Sequence, residues 1–170
     1  MGRLSAILAA GPLLCAVVSP AGAAAAQAPA CGVNLASPTV QTALNVQPPP
    51  PFPDSAWSRD PSTYEGNFDP CRTLSVAIVP LDGGTGSSPS VALLFNRSIY
   101  VGPASPEPRG FTYLNPAATT DDTVGLTFKT PGSCNACGDG TYYTVRYRWT
   151  GGGGNDLGRL VRLDPLPPSW

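Results

Sequence analysis

The chain contains no histidine, one methionine and one lysine, Lys129. The missing histidine excludes imidazole catalysis and histidine-ligated metals. Charge is sparse too: 12% of residues are charged, ten basic against eleven acidic. That balance is not the basic footprint of a nucleic-acid binder, nor does it suggest a polyanion or membrane-surface binder. Long apolar runs are also lacking. Leu4 to Val18 is too short and too rich in alanine to make a good membrane span.

What the first residues do contain is an ordered signal. A single charge, Arg3, precedes the apolar run, and small residues follow from Ala21 to Ala26. Charge, apolar core and Ala-x-Ala in that order mark an export signal. Residues 1–26 are therefore expected to be a signal peptide, and 27–170 a single small domain. Losing Arg3 leaves nine basic residues against eleven acidic, a net charge of about −2.

Cys15 falls in the signal. The other four cysteines, Cys31, Cys71, Cys134 and Cys137, make an even count in an oxidising compartment, where two disulfides are expected and three pairings are open. Cys134-Asn135-Ala136-Cys137 sits between glycines and between two strands, with no helix following. It reads as a hairpin-tip disulfide. Cys31 then pairs with Cys71 and staples the part of the chain with least core of its own. The alternatives are a Cys134/Cys137 redox dithiol, which needs a lowered thiol pKa, or a zinc half-site, which needs Cys31 and Cys71 to converge on it.

Patterning places the elements. Ser37-Pro38 supplies an N-cap and a first-turn proline, followed by Val40, Ala43 and Leu44 at helical spacing. Pro48 to Pro51 ends this helix as a stiff polyproline II connector. The proline-rich and irregular segment, 48–69, is anchored by Trp57, Tyr64 and Phe68. Sheet is expected over 71–165. Leu74 to Val79 is a near-continuous apolar run, as in a strand buried on both faces. Val91 to Phe95 turns through Asn96-Arg97-Ser98 into Ile99 to Val101. Val124, Leu126 and Phe128 alternate with polar residues, as do Tyr143, Val145, Tyr147 and Trp149. Leu160 to Leu163 is the last strand. Short returns favour antiparallel pairing. The expected class is α+β: one antiparallel sheet of about 5–6 strands, packed by one N-terminal helix and stapled by disulfides.

No catalytic constellation, metal set or cofactor motif emerges. Asp121-Asp122 reads as a solvated turn. Gly83 to Gly86 lacks the lysine and helix of a phosphate loop. Asn96-Arg97-Ser98 fits a glycosylation sequon inside a tight turn. Tyr142, Arg146, Arg148 and Arg162 form the candidate binding face, since arginines beside an aromatic can hold acidic or glycan partners.

Several motifs then occur in a telling order: Asn67-Phe68-Asp69-Pro70-Cys71, Gly84 to Pro89, Leu94-Phe95-Asn96-Arg97 with Tyr100-Val101-Gly102, Asp121 to Val124, Cys134 to Cys137, Val145 to Trp149, and Arg162 to Pro168. From about Cys31 to Pro168 the chain resembles the LppP/LprE lipoprotein family of mycobacteria and related actinomycetes. The resemblance implies an exported cell-envelope protein of unassigned molecular function and brings no catalytic residues. Lipid anchoring in that family uses a cysteine after a Leu-x-Gly/Ala pattern. Neither Pro12-Leu13-Leu14 before Cys15 nor Ala28-Pro29-Ala30 before Cys31 matches it. A secreted form is expected, with a lipid anchor as the alternative. The leading function is non-enzymatic binding of an envelope component or small ligand. Its alternatives are a thiol-disulfide oxidoreductase using Cys134 and Cys137, and a carrier with an apolar cavity between helix and sheet.

Overall fold

A strand that is apolar on both faces needs a covering layer on each side, and the chain supplies both. In the computed structural model, which describes Gly2, residues 30–153 and residues 156–168, strand β2 (Ser75–Pro80) is buried from Ser75 through Val79. The expected signal stretch beyond Gly2, with Cys15, lies outside the described residues, as do 154 and 155 of the last turn.

β2 is central in an antiparallel sheet ordered β1-β2-β3-β4, with β1 at Glu65–Gly66, β3 at Ser90–Asn96 and β4 at Ile99–Pro103. A second antiparallel sheet is ordered β5-β6-β7-β8, from Thr112–Leu114, Thr123–Thr130, Thr141–Thr150 and Arg159–Arg162. Leu74, Val76, Ile78 and Leu94 of the first sheet region pack on Val124, Leu126, Phe128, Val145 and Tyr147 of the second. The other side of the first sheet, through Ala77, Val79, Leu93 and Phe95, is covered by Val40, Ala43 and Leu44 with Trp57, Tyr64 and Phe68.

This corrects the expected fold class. The chain is mostly β, with two four-stranded sheets in place of one sheet of five or six strands. The break lies after β4. Pro103, Pro106 and Pro108 cannot carry a ladder onward, and the chain crosses to the second layer there. The helix lies against the first sheet alone of the two.

Helix α1 (Pro38–Asn45) begins where its signals place it. Ser37 caps it by accepting from the Thr39 amide at 3.2 Å, and Pro38 occupies the first turn. Eight residues are too few to persist unaided, so the buried side chains hold it. The 48–69 segment is pinned by its aromatics. Trp57 Nε1 donates to the Pro48 carbonyl at 2.9 Å, and the Tyr64 hydroxyl donates to Ser58 O at 2.7 Å. It is not wholly irregular, because it contains β1. Gly66 there has φ +134°, and a β-carbon would strike the Val76 carbonyl, so only glycine lets β1 lie against β2.

Cys31 is bonded to Cys71, with their Cα atoms 5.3 Å apart. Cys134 is bonded to Cys137 at the tip of the β6–β7 hairpin.

Candidate functional site

Alternation along β7 sorts its side chains. Val145 and Tyr147 are buried inward, while Tyr142, Thr144, Arg146 and Arg148 are exposed on the outer side. Residues directly opposite in an antiparallel pair share a face, so the register decides what joins them. Thr150 stands opposite Arg159, which places Arg159 on the outer face. Tyr147 stands opposite Arg162, which puts Arg162 on the inward side beside the Tyr147 ring. The structure thus brings Tyr142, Arg146 and Arg148 together but not Arg162. The register of a four-residue strand after a glycine turn left no trace in the sequence, and Arg159 was missed for the same reason.

The arginines differ in how they are held. Arg146 makes a two-pronged pair with Asp164, Nε to Oδ2 at 2.8 Å and Nη2 to Oδ1 at 2.9 Å. The Arg146 amide adds a third bond to Oδ2 at 2.9 Å. Bonds to the ionised form favour it, so the Arg146 side chain first, and its amide second, hold the Asp164 carboxyl down at about 2, while Arg146 is raised. A group with a depressed folded pKa stabilises fully above its unfolded value, here 3.8, and loses that contribution as pH falls through about 2. Carboxyl-carbon NMR is expected to show Asp164 titrating near 2 in the folded protein, and higher, though still below its ordinary value, in Arg146→Ala, which keeps the amide bond.

Arg148 is looser. Its Nε donates to Thr123 Oγ1 at 3.2 Å and lies 3.7 Å from Asp122, with about half of each side chain exposed. Asp122 is lowered chiefly by the hydroxyls of Thr120 and Thr123, with Arg148 a lesser cause. Arg159 has no ion pair among the described residues. Tyr142 is 60% exposed. Asp121 and Asp122 diverge: Asp121 accepts from Thr73 Oγ1 at 2.7 Å, whereas Asp122 accepts from Thr120 and Thr123. They do not form a working dyad.

Lys129, which sequence reasoning passed over, stands opposite Tyr142. Its Nζ bends to the hairpin tip and donates to the carbonyls of Asn135 and Cys137 at 3.1 and 2.9 Å. It also lies 5.0 Å from the Phe111 ring centroid and 5.8 Å from that of Tyr142. The side chain is buried and ties the disulfide loop down. Alternation after Val124, Leu126 and Phe128 was the available signal that it faces outward.

The redox alternative finds little here. Cys137 N donates to Cys134 O at 3.1 Å, closing a turn that leads into β7. Neither sulfur meets a helix N-terminus, the device that lowers a catalytic thiol pKa. The interior between α1 and the first sheet is filled by Leu44, Phe68 and Phe95, each 0–1% exposed, and the space that remains is an open groove of about 400 Å³ at the edge, where Ala43 and Val46 face Tyr100 of β4. Asn96 of the sequon donates its side-chain amide to Thr73 O at 2.6 Å, while Arg97 takes φ +54° to make the turn.

Comparison with known proteins adds the lineage. Residues 66–152, from the end of β1 to just past β7, match the family described as LppP/LprE lipoprotein. The candidate lipoprotein LprE of Mycobacterium tuberculosis (strain ATCC 25618 / H37Rv) is 31% identical over 131 residues, 77% of this chain and 60% of that protein. The protein of the same name in Mycobacterium leprae (strain TN) is 34% identical over 121 residues, 71% of this chain and 56% of that one. The chain thus spans about 60% of the length of these curated relatives. No solved structure matches. Among the described residues, no helix is long and apolar enough to cross a membrane. The motif order, the matched residues and the relatives agree, and the chain belongs to the LppP/LprE lipoprotein family.

Proposed function

We propose that the protein is a non-enzymatic binding protein of the cell envelope, and that the outer face of the second sheet takes an envelope component bearing isolated acidic groups. The observation that carries this reading is that Arg148 and Arg159 stand near each other on one exposed face, which Tyr142 shares at its far end. Arg148 is only loosely paired and Arg159 has no ion pair among the described residues. Isolated acids fit better than a polyanion because the whole chain leans acidic. Arginine suits such a group by its forked donors, and Tyr142, about 20 Å along the strand, offers a second contact at the other end of the face. In this reading residues 1–26 are removed on export and the mature chain is released, with Cys31 committed to Cys71 and so closed to acylation.

The test is cosedimentation of purified protein with isolated envelope. Tyr142→Ala with Arg148→Ala and Arg159→Ala is expected to lower retention about tenfold or more, the scale of two or more lost charge-assisted contacts. Retention equal to the parent, or turnover of a defined substrate by purified parent protein, overturns the reading.

A further inference from the structure

The edges of the two sheets meet at β1 and β5 and then part. Glu65 marks the junction: its Oε1 accepts from the Leu114 amide at 2.7 Å, tying one edge strand to the other. Beside this link lies an open cleft of about 260 Å³. Ile78 lies at its base, Ser88 and Ser90 line one wall, and Thr112 and Tyr113 line the other.

The fixed groups are mostly acceptors, while the hydroxyls of Ser88 and Tyr113 can also donate. Ser90 Oγ and Thr112 Oγ1 each donate to the Arg109 carbonyl at 3.0 Å. A hydroxyl has one proton, so both oxygens are left as acceptors. Glu65 is oriented by the Leu114 amide, and its second oxygen has no hydrogen-bond partner among the described residues. The cleft therefore calls for a ligand rich in donors. An anion would meet a carboxylate, and an apolar ligand would leave these oxygens dry, which is costly. The volume lies just below the usual range of drug-sized pockets, enough for one small ring but not for a lipid chain or folded peptide. Tyr113, 37% exposed, adds a ring at the rim, and Ile78 adds an apolar patch below.

We propose that this cleft is a carbohydrate site that takes one neutral sugar ring. Vicinal sugar hydroxyls donate to Glu65, further hydroxyls donate to Ser90 and Thr112, and a C–H face of the ring lies on Tyr113. The site uses neither Arg148 nor Arg159, although Tyr113 shares the outer face of the second sheet with Tyr142 through the Thr127 and Thr144 register.

Backbone-amide NMR titrations of the full chain with glucose, mannose, galactose and xylose test the proposal. At least one sugar is expected to give saturable shifts confined to residues 84–90 and 112–114. Glu65→Gln keeps an acceptor for the Leu114 amide, so the fold is retained, and it is expected to weaken binding about tenfold, as for a lost charged acceptor. Tyr113→Ala is expected to weaken it similarly, while Arg148→Ala with Arg159→Ala leaves it unchanged. Three results overturn the proposal: no saturable shift with any of these sugars, shifts with choline alone, or sugar binding indifferent to both Glu65→Gln and Tyr113→Ala. None of these bears on envelope retention by the arginine face.

Discussion

A chain carrying Cys31→Ser and Cys71→Ser is expected to lose about 4 kcal/mol of folding stability, by the chain-entropy argument for a closed loop of about 40 residues. The same argument gives only about 2 kcal/mol for Cys134→Ser with Cys137→Ser, because that loop is a single turn. Urea unfolding of both variants measures the difference. The midpoint should fall further for the first pair, and its slope should rise, since an uncrosslinked denatured chain exposes more surface. The location of the loosening is also expected. The Cys31–Cys71 loop holds α1 and the proline run, which lean on the first sheet by side-chain contacts alone, and β1, its two-residue edge strand. Hydrogen exchange should therefore quicken in α1 before it does in β6 and β7. A larger penalty from the hairpin-tip pair would defeat this account, since it would make the tip, and not the N-terminal layer, the part that needs the staple.

Much of the local structure was legible because it rests on nearest neighbours along the chain. Ser37-Pro38 fixes the start of α1 by a cap and a preset φ, both local. The alternation of β7 gives its two faces without reference to anything else. What could not be read is what depends on pairing between distant segments. β1 and β5 are two and three residues long, with no period to detect, yet they form the facing edges of the two sheets and one side of the proposed sugar cleft. The division into two sheets was present in outline. A run such as Leu74–Val79 needs cover on both faces, and one short helix can cover only one of them. The second sheet answers that need. The candidate site divides in the same way. Tyr142, Arg146 and Arg148 follow from alternation within one strand, whereas the exchange of Arg162 for Arg159 follows from cross-strand register alone.

Among the contacts between the N-terminal layer and the sandwich is one edge-on aromatic pair, and its removal should be felt by both. Phe68 is fully buried and meets Phe95 edge-on, ring centroids 4.6 Å apart, in the geometry aromatic pairs favour. Phe68 O also accepts from the Asn34 amide at 2.9 Å, so the residue fixes the approach to α1 through its backbone as well as its ring. Phe68→Ala leaves that backbone bond in place and removes the ring. The expected cost is about 3–5 kcal/mol, the range for a buried phenylalanine whose cavity is only partly refilled. Phe68→Leu keeps most of the volume and should cost less than half as much. Calorimetry is expected to place the alanine variant roughly 10 °C or more below the parent. Its disulfides should remain intact by mass, since Cys71 lies beyond the lost ring. A cost under about 1 kcal/mol, the scale of a surface substitution, would mean that the N-terminal layer is held by its disulfide and not by packing. The Cys31/Cys71 variant would then be expected to shed that layer entirely. Measured together, the two variants separate the roles: a sum of penalties equal to that of the triple mutant makes staple and ring independent, whereas a smaller triple-mutant penalty makes them act on one unfolding unit.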